Sequence, residues 1–277
     1  MDSRDTPSLR IALAQTDHVP ATDQDSLVAL RKAAQDAASG GAGLVIFPEL
    51  FWCGYGDEGT TRRLALVQTK AASMFGKVAA ETGTALLVGY SEVVGDGYYN
   101  AAMLVDAQGQ MVLNYRKMHL WGSYESALFL PGAPSPIVEI WPGLRAGVLI
   151  CFDLDFPAPA QDLAQRGAAL ILVPSATNYP YGIVPGAVVP ARAYENAAFL
   201  AFCNHAGSAS GNRFIGASTL AAPDGSILAS ACGDASELVF GTVAPQDFAR
   251  YRQEHHYAPL LRQDVFRPVT APPGQVR

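Results

Sequence analysis

Three short apolar runs, each followed at once by an ionisable residue, most strongly constrain what this chain can fold into. Residues 43–48 lead into Glu49, residues 111–116 into Lys117, and residues 147–150 into Cys151. Their length and apolar character are typical of buried strands. In open α/β sheets, ligands bind at the carboxyl ends of the strands. We therefore expect one crevice to collect all three side chains.

The three side chains have complementary chemistry. Glu49 can take a proton from the thiol of Cys151, the sulfur can attack an electrophilic carbon, and the ammonium group of Lys117 can neutralise the resulting oxyanion. Pro157 is well placed to open a helix just beyond the cysteine. We therefore expect Cys151 to lie near a positive helix end that favours the thiolate.

Long motifs around these residues resemble the nitrilase (carbon-nitrogen hydrolase) superfamily. They are FPELFWCGYG, YRKMHLWGSYESALFLPG and GVLICFDLDFP, followed by ARAYENAAFLAFCNHAG and PDGSIL, and they span roughly residues 9 to 245. The resemblance implies a catalytic triad of Glu49, Lys117 and Cys151. It also implies a second acid at Glu125, which on its own would be interpreted as a surface carboxylate that caps a short helix.

The third motif departs from the family pattern at three positions. Phe152 stands where the family usually has Tyr or Trp, and Asp155 stands where it has Glu or Arg, so acidic character is kept there. Ala158 replaces the Glu that often follows Phe-Pro, which removes a carboxylate from the start of the next helix. This change bears on local stability more than on catalysis.

Further residues are candidates for binding the substrate. The backbone N–H of Phe152 can donate to the oxyanion. Asn178, Tyr179 and Tyr181 lie on the loop after the next predicted strand, where substrate groups are usually met. Trp121 is either a wall of the pocket or an ordinary packing aromatic. His119, by contrast, is expected to be a structural hydrogen-bonding residue.

The rest of the chain alternates strands and helices, which predicts the α/β class. A strand at 11–15 precedes a helix with an apolar stripe that Gly40 can end, and a longer helix over 64–78 is closed by Gly83. Hairpins at 98–117 and 219–229 predict mixed sheets. The family resemblance adds a four-layer α-β-β-α sandwich. We expect a single domain over 1–277, with a core at about 9–245 and a tail at about 246–277.

Composition excludes several classes of function. The net charge of −6 and the lack of a basic run argue against nucleic-acid binding. We expect no signal peptide, because the first ten residues are polar, and no membrane association, because no apolar stretch reaches membrane-spanning length. The four cysteines have no CxxC spacing, which argues against a metal or disulfide framework and favours the cytoplasm. No cofactor is expected.

The C-terminal tail carries apolar residues that a monomer would expose. They are Tyr257, Leu260, Leu261, Val265 and Phe266. Tails in the resembling family often cross to a partner subunit. We therefore expect a homo-oligomer, most simply a two-fold dimer.

The resemblance implies hydrolysis of a small amide to an acid and ammonia through a cysteine thioester. The motifs FPELFWCGYG and IVPGAVVPARAYEN look most like those of bacterial aliphatic and stereoselective amidases. A nitrilase or an N-carbamoyl amine hydrolase would use the same triad, so both remain open. An inactive small-molecule-binding subunit is the alternative outside enzymes.

Overall fold

A computed structural model describes residues 7–255, 257, 260 and 262. The strands in this part of the chain are β1 (Leu9–Gln15), β2 (Leu44–Ile46), β3 (Ala85–Val94), β4 (Gly97–Val105), β5 (Met111–Arg116), β6 (Val138–Trp141), β7 (Leu144–Val148), β8 (Leu170–Ser175), β9 (Phe199–Asn204), β10 (Ser208–Ala209), β11 (Asn212–Arg213), β12 (Thr219–Ala221), β13 (Ile227–Ser230) and β14 (Glu237–Val243). The helices are α1 (Asp23–Ser39), α2 (Glu58–Arg63), α3 (Gln68–Thr82), α4 (Gly122–Leu128), α5 (Pro157–Gln165), α6 (Val189–Asn196) and α7 (Ala249–Glu254).

Most of the strands form two six-stranded mixed sheets. The first has the order β14-β1-β2-β3-β4-β5, and the second has the order β13-β12-β9-β8-β7-β6. Strands β1, β2 and β3 are parallel in the first sheet, and β7, β8 and β9 are parallel in the second. Antiparallel strands flank both parallel centres, so the two predicted hairpins are confirmed as β4–β5 and β12–β13.

Three apolar clusters separate four layers. The cluster between the sheets joins side chains of both, such as Ile11 and Ile46 with Val148 and Leu172. A second cluster packs α1 and α3 on the first sheet, and a third packs α5 and α6 on the second. Each fully buried aliphatic side chain contributes about 1.5–3 kcal/mol to the free energy of folding, relative to the same side chain left exposed. The predicted α-β-β-α sandwich is confirmed.

Helix α1 shows why local sequence predicts some elements well. The Thr22 hydroxyl accepts from the backbone N–H of Asp25, and the Asp25 carboxylate accepts from the N–H of Thr22, which is a capping box. Leu30 and Ala34 bury one face, and the helix ends before Gly40, as predicted. Gly83 also ends α3 as predicted, in a left-handed conformation with φ of 65°.

The predicted start of the second long helix is wrong. Leu64 follows the end of α2, and Val67 has an extended backbone just before α3 begins at Gln68. The segment between the two helices pairs with strand β3: the Leu66 N–H donates to Ser91 O at 2.9 Å. Residues 64–67 have an apolar spacing that fits a helix, but their hydrogen bonds to a strand prevent the helix from starting there.

The beginning of the tail packs on the chain's own body. The ring of Phe248 lies 5.3 Å from that of Phe199, and Arg252 donates to Ala197 O at 3.1 Å. Tyr257 and Leu260 are exposed, whereas Leu261, Val265 and Phe266 lie outside the described residues. Within the described ranges, no helix combines the length and apolarity needed to cross a bilayer. The single domain over 1–277 stays a prediction.

Candidate active site

Glu49 and Lys117 form a fully buried ion pair at the end of the first sheet. Glu49 begins the turn that follows β2, and Lys117 comes directly after β5. The Lys117 Nζ lies 2.6 Å from Glu49 Oε1, and neither side chain is exposed to solvent. Asn100 of β4 donates to the same carboxylate oxygen at 2.7 Å. The neighbouring strands thus hold the carboxylate in one orientation.

Glu125 approaches the lysine from helix α4. Its Oε1 accepts from Lys117 Nζ at 2.8 Å and from the hydroxyl of Tyr55 at 2.8 Å, while Oε2 accepts from the Trp121 N–H at 3.0 Å. The side chain is fully buried. Glu125 therefore does more than cap its helix, since it holds Lys117 opposite Glu49.

Burial of one ammonium between two carboxylates shifts the pKa values of Glu49 and Lys117. Burial and the charge of Glu125 raise the pKa of Glu49 to about 7, against the lowering effect of Lys117. Burial alone would lower the pKa of Lys117, but the charges of Glu49 and Glu125 outweigh it and raise that pKa. Lys117 thus stays charged near neutral pH, whereas Glu49 can gain or lose a proton there.

One oxygen of Glu49 has no hydrogen-bond partner. Its Oε2 is buried and unpaired among the described residues, while Oε1 binds both Lys117 and Asn100. A buried carboxylate oxygen without a donor is costly, so it marks a place where function overrides stability. This oxygen is free to accept a proton.

Cys151 lies at the end of the second sheet in a strained backbone conformation. It begins a 3₁₀ turn over Cys151–Asp155, and its φ of 45° is in the left-handed region that few non-glycine residues adopt. Such strain is characteristic of functional sites. The Cys151 Sγ lies 3.7 Å from the Thr177 hydroxyl, which bonds to the Ser175 hydroxyl at 2.8 Å.

The surroundings of Cys151 oppose the thiolate that a nearby helix end was expected to favour. Burial and the charge of Glu49 raise the pKa of the Cys151 thiol to about 12, although the charge of Lys117 acts in the opposite sense. Helix α5 does begin at Pro157, but the 3₁₀ turn separates it from the cysteine. A protonated thiol needs a base to remove its proton. Glu49 is the nearby carboxylate whose charge raises the pKa of the thiol, so it is the candidate base.

Asp153 is a positioning residue that was not among the predicted site residues. Its buried carboxylate accepts from the Ile150 N–H at 3.1 Å, from the Tyr115 hydroxyl at 2.7 Å and from the His119 N–H at 2.9 Å. His119 Nδ1 lies 2.8 Å from the same carboxylate, in keeping with its predicted structural role. Asp153 thereby ties the turn that carries Cys151 to the segment that carries Lys117.

His205 fixes the turn that carries Glu49. Its Nε2 lies 2.7 Å from the carbonyl oxygen of Glu49, so an Nε2–H donates to that oxygen. Burial lowers the pKa of His205 to about 4, which keeps the ring neutral. The histidine after strand β9 of the second sheet thus anchors a turn of the first.

A cavity of about 130 Å³ lies beside Cys151. Its lining is mostly uncharged and includes four aromatic side chains: Tyr55, Trp121, Cys151, Phe152, Asp155, Ala176, Thr177, Asn178, Tyr181 and Val184. Four of the predicted substrate-binding residues, Trp121, Phe152, Asn178 and Tyr181, therefore lie at one cavity. The ring of Trp121 packs edge-to-face on that of Tyr181 at 5.8 Å.

Tyr179 is not brought to this cavity. Its exposed ring instead lies under the guanidinium of Arg213, 4.4 Å from the ring centroid. Tyr55, Thr177 and Asp155 line the cavity without having been predicted. Tyr55 is part of the motif that contains Glu49, and its hydroxyl bond to Glu125 is a contact that spacing along the sequence does not reveal.

Comparison with known proteins agrees with this geometry. Residues 10–253 match the carbon-nitrogen hydrolase family model. The chain is 38% identical to a hydrolase of the pqqF 5′ region of Pseudomonas protegens, over 94% of this chain and 91% of the other. It is 34% identical to an (R)-stereoselective amidase of Pseudomonas sp., over 71% of each chain.

Solved structures give the same result. The crystal structure of an amidase from Nesterenkonia sp. superposes with a TM-score of 0.83 and 32% identity, covering 93% of this chain and 94% of the other. In a mutant of the amidase from Nesterenkonia sp. AN1, the acetamide moiety of fluoroacetamide is covalently added at the active-site cysteine. That structure has a TM-score of 0.80 and 32% identity, and it covers 91% of this chain and 97% of the other.

The chain belongs to the carbon-nitrogen hydrolase family. The resemblance seen in its motifs is confirmed, and so is the prediction of an amidase-type hydrolase that acts on carbon–nitrogen bonds other than peptide bonds.

Proposed function

We propose that this enzyme hydrolyses a small primary amide to a carboxylic acid and ammonia, with Cys151 as nucleophile, Glu49 as general base and Lys117 as oxyanion donor. The observation that carries this proposal is a buried Lys117 held between Glu49 and Glu125, beside a thiol at the wall of a cavity. The cavity of about 130 Å³ is small for a ligand site, which favours a short acyl chain.

The first half of the reaction forms a thioester. Glu49 takes the proton of Cys151, and the sulfur attacks the amide carbon, so that the C–O double bond becomes an oxyanion held by Lys117 and the N–H of Phe152. Glu49 then returns the proton to the nitrogen, the C–N bond breaks, and ammonia leaves. A base with a pKa of about 7 is suited to both transfers.

The second half regenerates the enzyme. Glu49 removes a proton from a water molecule, whose oxygen attacks the thioester carbon. The C–S bond then breaks, the acid leaves, and the proton returns to the sulfur. Support for a covalent route comes from the related amidase of Nesterenkonia sp. AN1, whose active-site cysteine takes up an acetamide moiety.

The test is a screen for ammonia release across short amides, matched nitriles and N-carbamoyl amines. We expect amides to give the highest kcat/KM, and mass spectrometry should find an acyl adduct on the Cys151 peptide but not on the peptides of Cys53, Cys203 or Cys232. A nitrile or an N-carbamoyl amine as best substrate would instead support the rival specificities that the same triad allows. Lack of turnover for all three would favour an inactive binding subunit.

Two further proposals concern the cell and the assembly. The four free cysteines favour a reducing compartment, so we propose a cytoplasmic location. The exposed apolar side chains Tyr257 and Leu260 favour burial against a second copy of the chain. We therefore propose a homo-oligomer, most simply a two-fold dimer.

A further inference from the structure

Asp155 is the charged residue in the lining of the cavity beside Cys151. The other lining side chains carry no formal charge when the thiol is protonated. Asp155 ends the 3₁₀ turn that begins at Cys151, so its place is fixed relative to the nucleophile by one short segment. The buried charges of Glu49, Lys117 and Glu125 are not part of this wall.

The backbone at Asp155 is anchored, but its carboxylate is not. Arg192 of α6 donates to Leu154 O at 3.1 Å and to Asp155 O at 2.9 Å, and its guanidinium also binds Glu195 at 3.2 Å. Among the described residues, no hydrogen bond or ion pair reaches the carboxylate of Asp155 itself. Arg192 therefore holds the turn in place and leaves the acid available to a ligand.

The surroundings of this acid suit a cation. Partial burial disfavours the charged form of Asp155 and raises its pKa, against the lowering charges of Arg192 and Lys117, so a bound cation would offset this cost. Trp121, Phe152 and Tyr181 line the same cavity, and the faces of aromatic rings attract cations. A carboxylate beside aromatic rings attracts an ammonium group and repels a carboxylate.

We infer that Asp155 determines specificity by favouring amides whose acyl chain carries an ammonium group and by disfavouring amides whose acyl chain carries a carboxylate. This inference rests on the proposed function, since it assigns the substrate class of the same site. It concerns the acyl end of the amide, whereas Cys151, Glu49 and Lys117 act on the carbon–nitrogen bond.

Binding to Cys151→Ala protein tests the inference without any need for turnover. Butyramide and 3-aminopropanamide have the same length, and only the second carries an ammonium group at neutral pH. Propionamide with glycinamide, and pentanamide with 4-aminobutanamide, extend the comparison to shorter and longer chains. By calorimetry, we expect at least one cationic member to bind at least about threefold more tightly than its neutral partner, as for a partly exposed ion pair. High salt should reduce the difference.

Two matched variants separate a local contact from the general negative charge of the protein. Asp155→Asn in the Cys151→Ala background should remove the preference and leave the affinity for the neutral amides within about twofold. Asp162→Asn makes the same change of charge on α5, where Asp162 pairs with Arg166 away from the cavity, and it should keep the preference. Asp155→Lys should reverse the selection and favour succinamate over butyramide.

Three results would overturn the inference. They are equal binding of every cationic and neutral pair, loss of neutral and cationic binding together in Asp155→Asn, or loss of the preference in Asp162→Asn as well. Ammonia release from butyramide by the wild-type enzyme is measured separately. A wild-type enzyme that hydrolyses butyramide but shows no cationic preference would contradict the role of Asp155 alone, whereas failure to hydrolyse any amide would contradict the proposed function.

Discussion

Cys151 combines a left-handed backbone with a half-buried thiol at the cavity wall, so its substitutions separate chemistry from folding. Cys151→Ala keeps a Cβ, and the backbone strain at φ of 45° is therefore unchanged. We expect a melting temperature within a few degrees of wild type, and ammonia release reduced by more than about a hundredfold. Cys151→Ser should be almost as inactive, because a hydroxyl is a weaker nucleophile in the same place.

Residual activity in these variants decides whether the route is covalent. Either variant retaining more than about a hundredth of the wild-type rate would mean that the sulfur is not the attacking atom. Cys53→Ala is a suitable control, since Cys53 is buried and does not line the cavity beside Cys151. Its activity should stay close to that of wild type.

The shifted pKa of Glu49 predicts how the rate depends on pH. Burial raises this pKa to about 7, and a general base works only when deprotonated. The deprotonated fraction increases with pH, so kcat/KM for a neutral amide should rise through about pH 7 and then level off. The thiol, with a pKa raised to about 12, should add no second rise near neutrality. A profile that is flat between about pH 5 and 8 would rule out Glu49 as the base.

At the scale of single residues, sequence predicts the groups that end buried strands and misses those that reach the site from elsewhere. Glu49, Lys117 and Cys151 can be predicted because each follows an apolar run. The sequence does not indicate that Asp155 and Tyr55 line the cavity, because their placement depends on how turns fold over it. Tyr179 was misplaced for a related reason, since its neighbours Asn178 and Tyr181 face the cavity while its own ring packs on Arg213.

At the scale of elements, β3 and the turn that carries Glu49 are in such close contact that only glycine fits at position 89. A Cβ there would lie 2.6 Å from Leu50 N and 2.9 Å from the Cα of Glu49. Gly89→Ala should therefore push the Glu49 turn away from Lys117. We expect a loss of about 1–3 kcal/mol in the free energy of unfolding, as for other overpacked sites. We also expect a larger fall in kcat than rise in KM.

Gly233→Ala is the matched control, because a Cβ at that position meets nothing within 4 Å. Denaturant titration and steady-state kinetics on both variants provide the measurements. Wild-type kcat in Gly89→Ala would show that the turn can shift without disturbing the base, and it would contradict the positioning role of this close contact.

Elements with complete local signals were predicted well, and those defined by pairing were not. Helix α1 has a capping box, an apolar stripe and a terminal glycine, so its sequence determines its limits. The segment 64–67 also fits a helical stripe, but its backbone bonds to β3. Hydrogen bonding to β3 outweighs the helical spacing of these residues, and no local sequence pattern indicates that pairing.

On the scale of the whole molecule, the site forms where the ends of two sheets meet. Glu49 and Lys117 follow strands of the first sheet, and Cys151 and Thr177 follow strands of the second. Hydrogen bonds between the sheets, such as that of His205 Nε2 to Glu49 O, fix the two parts of the site relative to each other. Alternating strands and helices predict the α/β class, but the stacking of two sheets came only from the family resemblance, since periodicity does not say which sheet faces which.

The assembly is the remaining prediction at this scale. Leu260 is 74% exposed and Tyr257 is 39% exposed, and Tyr257 contacts Tyr194 of α6 with 6.2 Å between ring centroids. Burying apolar surface is favourable by about 25 cal/mol for each Å² removed from water. Contact with a second copy of the chain would bury this group of side chains. Light scattering at micromolar concentration should therefore give a multiple of the 29.3 kDa chain mass.

A charge placed in this group should weaken the assembly. Leu260→Asp is expected to shift the mass toward the monomer, because a carboxylate buried at an interface without a partner is costly. Val28→Asp adds the same charge at an exposed apolar residue of α1, 53% exposed, and should leave the mass unchanged. A wild-type mass near 29.3 kDa would contradict the oligomer itself. An equal effect of both substitutions would mean that net charge, and not the group around Leu260, controls association.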